Sequence, residues 1–472
     1  MTLPQIALGA FLALLATFLF SGKRRGFLLF TFSLLALFAL QPALPIRYFD
    51  FWLPTLALGL VMGLWAGITP LETVLSKENL LSAAWAATLL LLLGLTRIIF
   101  PNPFLTASLA PRMQYIFLAL VILALGIFLS SRVRAPRQMA QAGTLALVLL
   151  LIVLKSPQLS LWSAQLLRVL NGQSAETASS FDLRWLGFSY IAFRLIHTLQ
   201  DHIKGRLPSV SLQEYITYLF FYPALSAGPI DRVERFVKDL RAPFHLAEID
   251  WVFITRRMTL GLFKKFILAD SLALIALSPA NAAQVTRAPW AWILLYAYAL
   301  QIYFDFSGYT DLALGVARLA GIQLPENFNQ PYLKPNLTQF WNSWHMSLTQ
   351  WLRAYVFNPL TRALRGTSLP VWSIILLTQL VSMTLIGLWH GVTLNFLIWG
   401  LWHGLGLFLH NRWQDAFRVR VTAWAGTPAR QALLAVSGAV FTFQYVALGW
   451  IWFVLPTPQT ALAFLFRLFG AA

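Results

Sequence analysis

The sequence predicts an all-α protein that crosses a membrane several times. Of its 472 residues, 58% are apolar and 11% are charged, and the mean hydropathy is +0.67. Soluble domains are nearer half apolar and a quarter charged. The apolar runs are long enough for a helix to cross the hydrocarbon core, which takes about 20 residues. The strands of a membrane β-barrel would instead read as alternating segments of about ten residues.

Six apolar stretches predict the first membrane helices. They cover approximately residues 3–20, 26–44, 51–68, 80–98, 113–129 and 139–154. Basic clusters follow the first and fifth stretches, at residues 23–25 and 132–137, and both clusters fit cytoplasmic loops. A secretory signal carries its positive charge before the apolar run, so we expect the first helix to be retained.

The character of the chain changes after residue 180. Polar, aromatic, Gly and Pro residues are mixed into apolar surroundings, which is typical of irregular helices that line a cavity in a membrane. Pro223, Gly228 and Pro229 are expected to break a helix over residues 213–230, so that this segment enters the membrane and turns back. The predicted segments are scaffold helices over 1–180, a catalytic core over 181–412 and C-terminal membrane helices over 413–472, all in one integral membrane domain.

Composition narrows the possible partners and cofactors. The net charge of +18 comes from 35 basic and 17 acidic residues. Most basic clusters lie in short loops beside apolar spans, and no basic soluble domain is present to bind nucleic acid. The chain has no cysteine, which excludes disulfides, a thiolate nucleophile and Cys-ligated metal. We expect the lipid bilayer as a partner, no nucleic acid, no metal site and no bound cofactor.

Two of the seven histidines lie within strongly apolar and aromatic sequence. His345 is found in WNSWHMSL and His390 in GLWHG. An ionisable residue at membrane depth indicates a functional site with a partner. Burial disfavours the charged imidazolium, and a neutral imidazole can accept a proton from a hydroxyl group, as a general base must. His345 would then orient the substrate or stabilise an oxyanion, although a structural hydrogen bond would also explain either histidine.

The other histidines are weaker candidates. His403 lies in a second Trp-His-Gly tripeptide and competes with His390, but together with His410 it also fits a polar stripe near a helix end. His197, His202 and His245 are expected to be solvated or interfacial.

Two acidic residues are further candidates for the functional site, and several known enzyme motifs are absent. Asp305 and Asp311 in YFDFSGYTD need partners, for which Arg318, Arg353 or a histidine are available. The sequence contains no G-x-S-x-G, no H-E-x-x-H, no P-loop and no dinucleotide loop. The absence of these motifs disfavours a covalent enzyme intermediate, so direct transfer of a group between two substrates is favoured.

Residues from about 187 to 410 resemble the membrane-bound O-acyltransferase family. The resemblance is closer to its bacterial branch, which includes alginate O-acetyltransferase and teichoic-acid D-alanyltransferase. The motifs that carry it occur in the family's order: FFYPALSAGPIDR, GLFKKFILAD, LQIYFDFSGYTDLALGVARLAGIQLPENFNQPY, FWNSWHMSLTQWLRAYVFNPL and GLWHGVTLNFLIWGLWHGL.

The resemblance implies a ring of about 10–12 tilted transmembrane helices, with short and re-entrant helices, around a central funnel or tunnel. It places the invariant histidine of the family on His390 and its second histidine motif on His345. Asn342 and Ser343 stand where alginate-type members commonly carry two arginines. Residues expected to contact substrate are Asn342, Trp344, Trp389, Asp305, Ser307 and Asn329.

The expected activity is transfer of an acyl group, in the first instance acetyl, from a cytoplasmic thioester to a hydroxyl of a cell-envelope polysaccharide. The protein would lie in the inner (plasma) membrane. Acetyl-CoA or an acyl-carrier thioester would be a substrate, and a carrier protein or an extracytoplasmic transferase a further partner. The alternatives are D-alanyl transfer to teichoic acid, a transporter or flippase, and a polyprenyl-linked glycosyltransferase with Asp50 as its acid.

Overall fold

The computed structural model describes residues 3–19 and 23–471. The described residues are helical, and their β-structure is limited to one isolated antiparallel bridge between Phe328 and Trp344. Helices long and apolar enough to cross a membrane are Phe49–Ile68, Lys77–Ile99, Met113–Ser131, Pro136–Lys155, Val371–His390 and Pro428–Val454. The chain is therefore an all-α, multi-pass membrane protein, as the sequence predicts.

The first compact unit comprises residues 1–258 and 312–325. The ends of the predicted spans agree with its helices to within a few residues, and the expected end of the first span at residue 20 lies outside the described residues. The helices of this part of the chain are Leu3–Leu19, Lys23–Ala39, Phe49–Ile68, Leu71–Val74, Lys77–Ile99, Met113–Ser131, Pro136–Lys155, Pro157–Leu170, Phe188–Ile203, Leu212–Phe220, Val233–Arg241 and Trp251–Leu262, with short 3₁₀ turns at Tyr222–Ala224 and Leu246–Glu248.

Arg25 is not a loop residue, contrary to the sequence-based expectation. It lies in the helix Lys23–Ala39 and is fully buried. Its guanidinium donates to the carbonyl oxygens of Asp239 at 2.8 Å, Leu240 at 3.0 Å and Ala242 at 3.0 Å. The last carbonyls of a helix lack partners within that helix and carry partial negative charge, so a cation stabilises them. Arg25 thus ties two helices of this unit together.

The predicted break near Pro223 is confirmed. The helix Leu212–Phe220 ends there, and the chain continues into a single 3₁₀ turn. Proline has no backbone N–H, so Pro223 could not donate to the carbonyl of Leu219 if the helix continued. A Cβ atom on Gly228 would lie 2.3 Å from Cα of Ala224, so the folded-back chain requires glycine at this position.

The second compact unit comprises residues 259–311 and 326–472. Two of its segments, Phe263–Ala269 and Arg353–Phe357, are π-helical. The other helices of this part of the chain are Asp270–Ala273, Pro279–Gln284, Ala288–Leu319, Leu337–Trp341, Met346–Leu352, Asn358–Leu364, Val371–His390, Leu394–Trp424, Pro428–Val454 and Pro458–Leu468, with a 3₁₀ turn at Pro331–Leu333.

The backbones of the helices Val371–His390 and Leu394–Trp424 are in direct contact. A Cβ atom on Gly387 would lie 2.1 Å from the carbonyl oxygen of Phe396, and one on Gly400 would lie 2.7 Å from that of Met383. Small residues permit this separation between membrane helices. The contact fixes the end of the helix Val371–His390, and with it the backbone of His390.

The boundaries of these units differ from the predicted segment boundaries at residues 180 and 412. The three-segment division, the ring of 10–12 helices and its funnel stay predictions.

Candidate functional site

His345 has an unusual backbone conformation. It precedes the helix Met346–Leu352 and has φ 45° and ψ 52°, in the left-handed region. Residues other than glycine are uncommon there, and such a conformation persists only where the surroundings impose it. Its side chain is buried, with 4% of the residue exposed. The imidazole is therefore held by the fold.

Asn327 is the residue that imposes this turn. Its Oδ1 accepts hydrogen bonds from the backbone N–H of Ser347 at 3.2 Å and from the Ser347 hydroxyl at 2.6 Å. The backbone N–H of Met346 donates to the Asn327 carbonyl at 3.0 Å, and Asn327 is completely buried. Asn327 was not predicted as a site residue, because no spacing rule connects it with a helix start twenty positions later.

Trp389 contacts the rings of both predicted catalytic histidines. Its ring centroid lies 6.2 Å from that of His345 and 4.5 Å from that of His390. Phe306 stands edge-on to His345 at 4.8 Å, and Phe453 stands edge-on to His390 at 4.7 Å. The structure thus brings His345, Trp389 and His390 into one aromatic cluster.

His390 is more accessible than His345. It is half-buried at the last position of the helix Val371–His390. A Cβ atom on the next residue, Gly391, would lie 2.8 Å from ring atoms of Phe396, so the chain turns tightly after the histidine. His390 is therefore partly exposed, whereas His345 is almost fully buried.

A cavity of about 260 Å³ lies in the same unit. Polar side chains in its wall include those of Asn342, Arg353, Gln379 and Ser382. Arg353 donates to Oδ1 of Asn342 at 2.6 Å. In the part of the chain that the structure describes, the buried Gln379 Oε1 and Ser382 Oγ make no hydrogen bond. Buried polar groups are usually satisfied, so these two atoms can bind hydroxyl or amide groups of a ligand.

The remaining predicted substrate-contacting residues lie in different environments. Trp344 is buried and packs against Trp450, with ring centroids 5.3 Å apart. Ser307 is buried, and Asn329 is exposed, with its backbone N–H donating to the carbonyl of Ser343. Their contact with substrate stays a prediction.

The partners expected for the two acids were wrong. Asp311 pairs with Lys264, whose Nζ lies 2.7 Å from Oδ2, and Asp305 pairs with Lys265. The Asp311 side chain is 5% exposed and that of Asp305 is 51% exposed. Both lysines lie in the π-helical segment Phe263–Ala269, and such segments are frequent at functional sites.

His403 does not lie near a helix end, so the expected polar stripe is wrong for it. It is fully buried within the helix Leu394–Trp424. Its ring lies 5.1 Å from that of Trp341 and 4.8 Å from that of Trp399. Neither ring nitrogen makes a hydrogen bond to any residue that the structure describes. His403 is more enclosed than His390, which makes it the poorer acceptor for a substrate proton.

His197 and Asp50, which do not belong to this cluster, are both buried. His197 is buried rather than solvated, with Nε2 at 3.1 Å from Oδ2 of Asp201. Asp50, the acid of the glycosyltransferase alternative, is 1% exposed and accepts from both the backbone N–H and the hydroxyl of Ser108 at 2.7 Å. Asp50 is thus engaged in a local structural contact.

The fold and the histidine pair define a multi-pass helical membrane protein with a buried aromatic–imidazole centre. The family model described as MBOAT, membrane-bound O-acyltransferase family, matches residues 138–449, which is more than half of the sequence. The chain therefore belongs to the membrane-bound O-acyltransferase family.

Curated relatives carry related names. A probable alginate O-acetylase of Azotobacter vinelandii is 35% identical over 272 residues, covering 57% of this chain and 50% of that protein. A teichoic acid D-alanyltransferase of Streptococcus thermophilus is 32% identical over 246 residues, covering 49% and 58%. A peptidoglycan O-acetyltransferase of Helicobacter pylori is 32% identical over 268 residues, covering 54% and 46%. The chain spans about half the length of the curated relatives it matches.

Proposed function

We propose that the protein transfers an acetyl group from a cytoplasmic thioester, such as acetyl-CoA, to a hydroxyl of a cell-envelope polysaccharide. It would act in the inner membrane, with His390 as general base. The observation that carries the proposal is the half-buried His390 at a helix end, in ring contact with Trp389, which in turn contacts His345.

The reaction needs no covalent enzyme intermediate. The neutral His390 imidazole takes the proton of the acceptor hydroxyl as its oxygen attacks the thioester carbonyl carbon. A carbon–oxygen bond forms, the carbon–sulfur bond breaks, and the departing sulfur receives the proton as a free thiol. His345 donates a hydrogen bond to the oxyanion that forms on the carbonyl oxygen. General base catalysis of this kind contributes about 10²–10⁴-fold in rate.

The cavity bounded by Asn342, Arg353, Gln379 and Ser382 supports a polar ligand near this centre. Ile386, one helical turn before His390, also lines it. The unsatisfied oxygens of Gln379 and Ser382 would bind sugar hydroxyls or the amide groups of the donor's thioester arm. Arg353, already bonded to Asn342, would hold an anionic group of either substrate.

D-alanyl transfer from an acyl-carrier protein to teichoic acid is the second candidate. The resemblance to the Streptococcus thermophilus D-alanyltransferase supports it. The alginate and peptidoglycan O-acetyltransferase names support acetyl transfer. A carrier protein or an extracytoplasmic transferase would be a partner in either case. Membership of an acyltransferase family argues against the transporter and glycosyltransferase alternatives.

The test is to incubate the full chain, purified in detergent, with labelled acetyl-CoA and envelope glycans, and to locate the label by mass spectrometry. A parallel reaction uses a D-alanyl-loaded carrier protein with lipoteichoic acid. We expect acetyl esters on the glycan, and their loss in His390→Ala. His410→Ala is the matched control, because His410 lies outside the aromatic cluster and should leave transfer unchanged. Equal transfer by His390→Ala and the wild type would remove His390 from the mechanism.

A further inference from the structure

Three metal-ligating side chains converge in the first unit. His197 and Asp201 lie one turn apart on the helix Phe188–Ile203, and Glu234 lies in the first turn of the helix Val233–Arg241. Nε2 of His197 is 3.1 Å from Oδ2 of Asp201 and 3.9 Å from Oε2 of Glu234. All three ligand atoms lie within 4.8 Å of one another.

These separations suit a common metal ion. Zn²⁺ binds imidazole nitrogen and carboxylate oxygen at about 2.0–2.2 Å in tetrahedral geometry, which places neighbouring ligand atoms about 3.3–3.6 Å apart. The observed distances of 3.1 and 3.9 Å bracket that range. A small side-chain rotation of Glu234 would complete the site, and water would occupy the fourth position.

The local charge also favours a divalent cation. The cluster places two carboxylates, each negatively charged when ionised, beside one imidazole. Attraction between opposite charges at these separations favours a divalent cation.

Burial distinguishes this cluster from acids on an open surface. The side chains of His197 and Asp201 are 1% and 5% exposed. Glu234 is 39% exposed, yet its Oε2 atom is shielded and accepts no hydrogen bond from the residues that the structure describes. The enclosed Oε2 is aimed at His197, while the exposed part of Glu234 leaves an entry path for an ion.

We propose that His197, Asp201 and Glu234 bind one divalent transition-metal ion of the Zn²⁺ class. Mixed imidazole and carboxylate ligands suit Zn²⁺, Mn²⁺ and Fe²⁺. The ion joins two helices of the first unit. No metal site was predicted from the sequence, because His197 was expected to be solvated or interfacial.

The experiment uses the full chain with an affinity tag that contains no histidine. The protein is stripped with EDTA, loaded with Zn²⁺, desalted and analysed for metal by mass spectrometry. We expect one Zn²⁺ per wild-type chain and at least tenfold less in His197→Ala combined with Asp201→Asn. His202→Ala is the matched control, since it removes a histidine from the same helix but not from the cluster, and it should retain the ion.

A second measurement detects Zn²⁺ through the stability of the folded protein. Zn²⁺ added to the stripped wild type should raise its thermal unfolding midpoint, as expected for a ligand that binds the folded state. It should leave the midpoint of the conservative variant Glu234→Gln nearly unchanged. The proposal is overturned if the stripped wild type takes up no more Zn²⁺ than the double variant, or if His202→Ala loses as much Zn²⁺ as that variant.

Discussion

Oδ1 of Asn327 accepts two hydrogen bonds from Ser347, one from its backbone N–H at 3.2 Å and one from its hydroxyl at 2.6 Å. Asn327 and Ser347 are both buried and lie 20 positions apart in the sequence. The two bonds close a turn that contains His345 in its left-handed conformation. The orientation of one proposed catalytic imidazole therefore depends on an amide that belongs to a different segment of the chain.

Asn327→Ala tests this dependence. Loss of the amide removes an acceptor that takes part in two buried hydrogen bonds with Ser347, which costs about 1–3 kcal/mol of stability. We expect a lower unfolding midpoint and a turnover reduced about tenfold or more, measured with the acetyl-transfer assay. Asn329→Ala, two residues along and exposed, should change neither property. Unchanged turnover in a folded Asn327→Ala protein would show that the turn does not position His345.

His345→Asn and His345→Ala separate the imidazole from the backbone. Asparagine adopts the left-handed conformation more readily than alanine, for which it costs about 1–2 kcal/mol. Both variants should lose about 10²–10³-fold in turnover, as when one oxyanion donor is removed. Only His345→Ala should also unfold at a markedly lower temperature. Near-normal turnover of His345→Asn would assign the residue a structural role alone.

The two lysine–aspartate pairs should respond differently to the same change. Lys264→Met removes the lysine partner of Asp311, which is 5% exposed, and should cost more than about 1 kcal/mol, because loss of a partner costs more for a buried carboxylate than for an exposed one. Lys265→Met affects Asp305, 51% exposed, and surface pairs are worth about 0–1 kcal/mol. Chemical denaturation of both variants in the same detergent provides the comparison. Equal losses would contradict the assigned burial.

Gly387→Ala probes the close helix contact that holds His390. Its Cβ would lie 2.1 Å from the carbonyl of Phe396, and overpacking of this kind typically costs about 1–3 kcal/mol. Since His390 follows three residues later, turnover should fall with stability. Gly126→Ala is the control, because nothing lies within 4 Å of its Cβ and alanine is the better helix former by about 1 kcal/mol. A stable, active Gly387→Ala protein would show that the two helices can separate without cost.

Helices that contact lipid were predictable from the sequence, and residues buried by tertiary contacts were not. The span expected over residues 113–129 corresponds to the helix Met113–Ser131, which is largely exposed on the protein surface, because continuous apolar composition reports directly on membrane insertion. Arg25 was placed in a loop because charge near an apolar run usually indicates a cytoplasmic flank. Its burial depends on carbonyls contributed by residues more than two hundred positions away.

In the candidate site, too, residues with local sequence signals were predicted, and residues placed by tertiary contacts were not. His390 and His345 were found through their apolar and aromatic neighbours and through family motifs. Asn327 was missed because its partner Ser347 is chosen by the fold. The lysine partners of Asp305 and Asp311 were missed for a related reason. A π-helical segment changes which side chains share a helix face, and amino-acid composition does not predict where such a segment occurs.

The π-helical segment Phe263–Ala269 also limits how the chain can vary in length. A π turn holds one residue more than an α turn, so removal of a single residue here would let the segment relax to ordinary α geometry. Because the residue removed is the extra one of the π turn, the helices on either side would keep about the same register. Lys264 and Lys265 lie within that turn, so the deletion would redirect their side chains and break both carboxylate pairs while leaving the flanking helices in place.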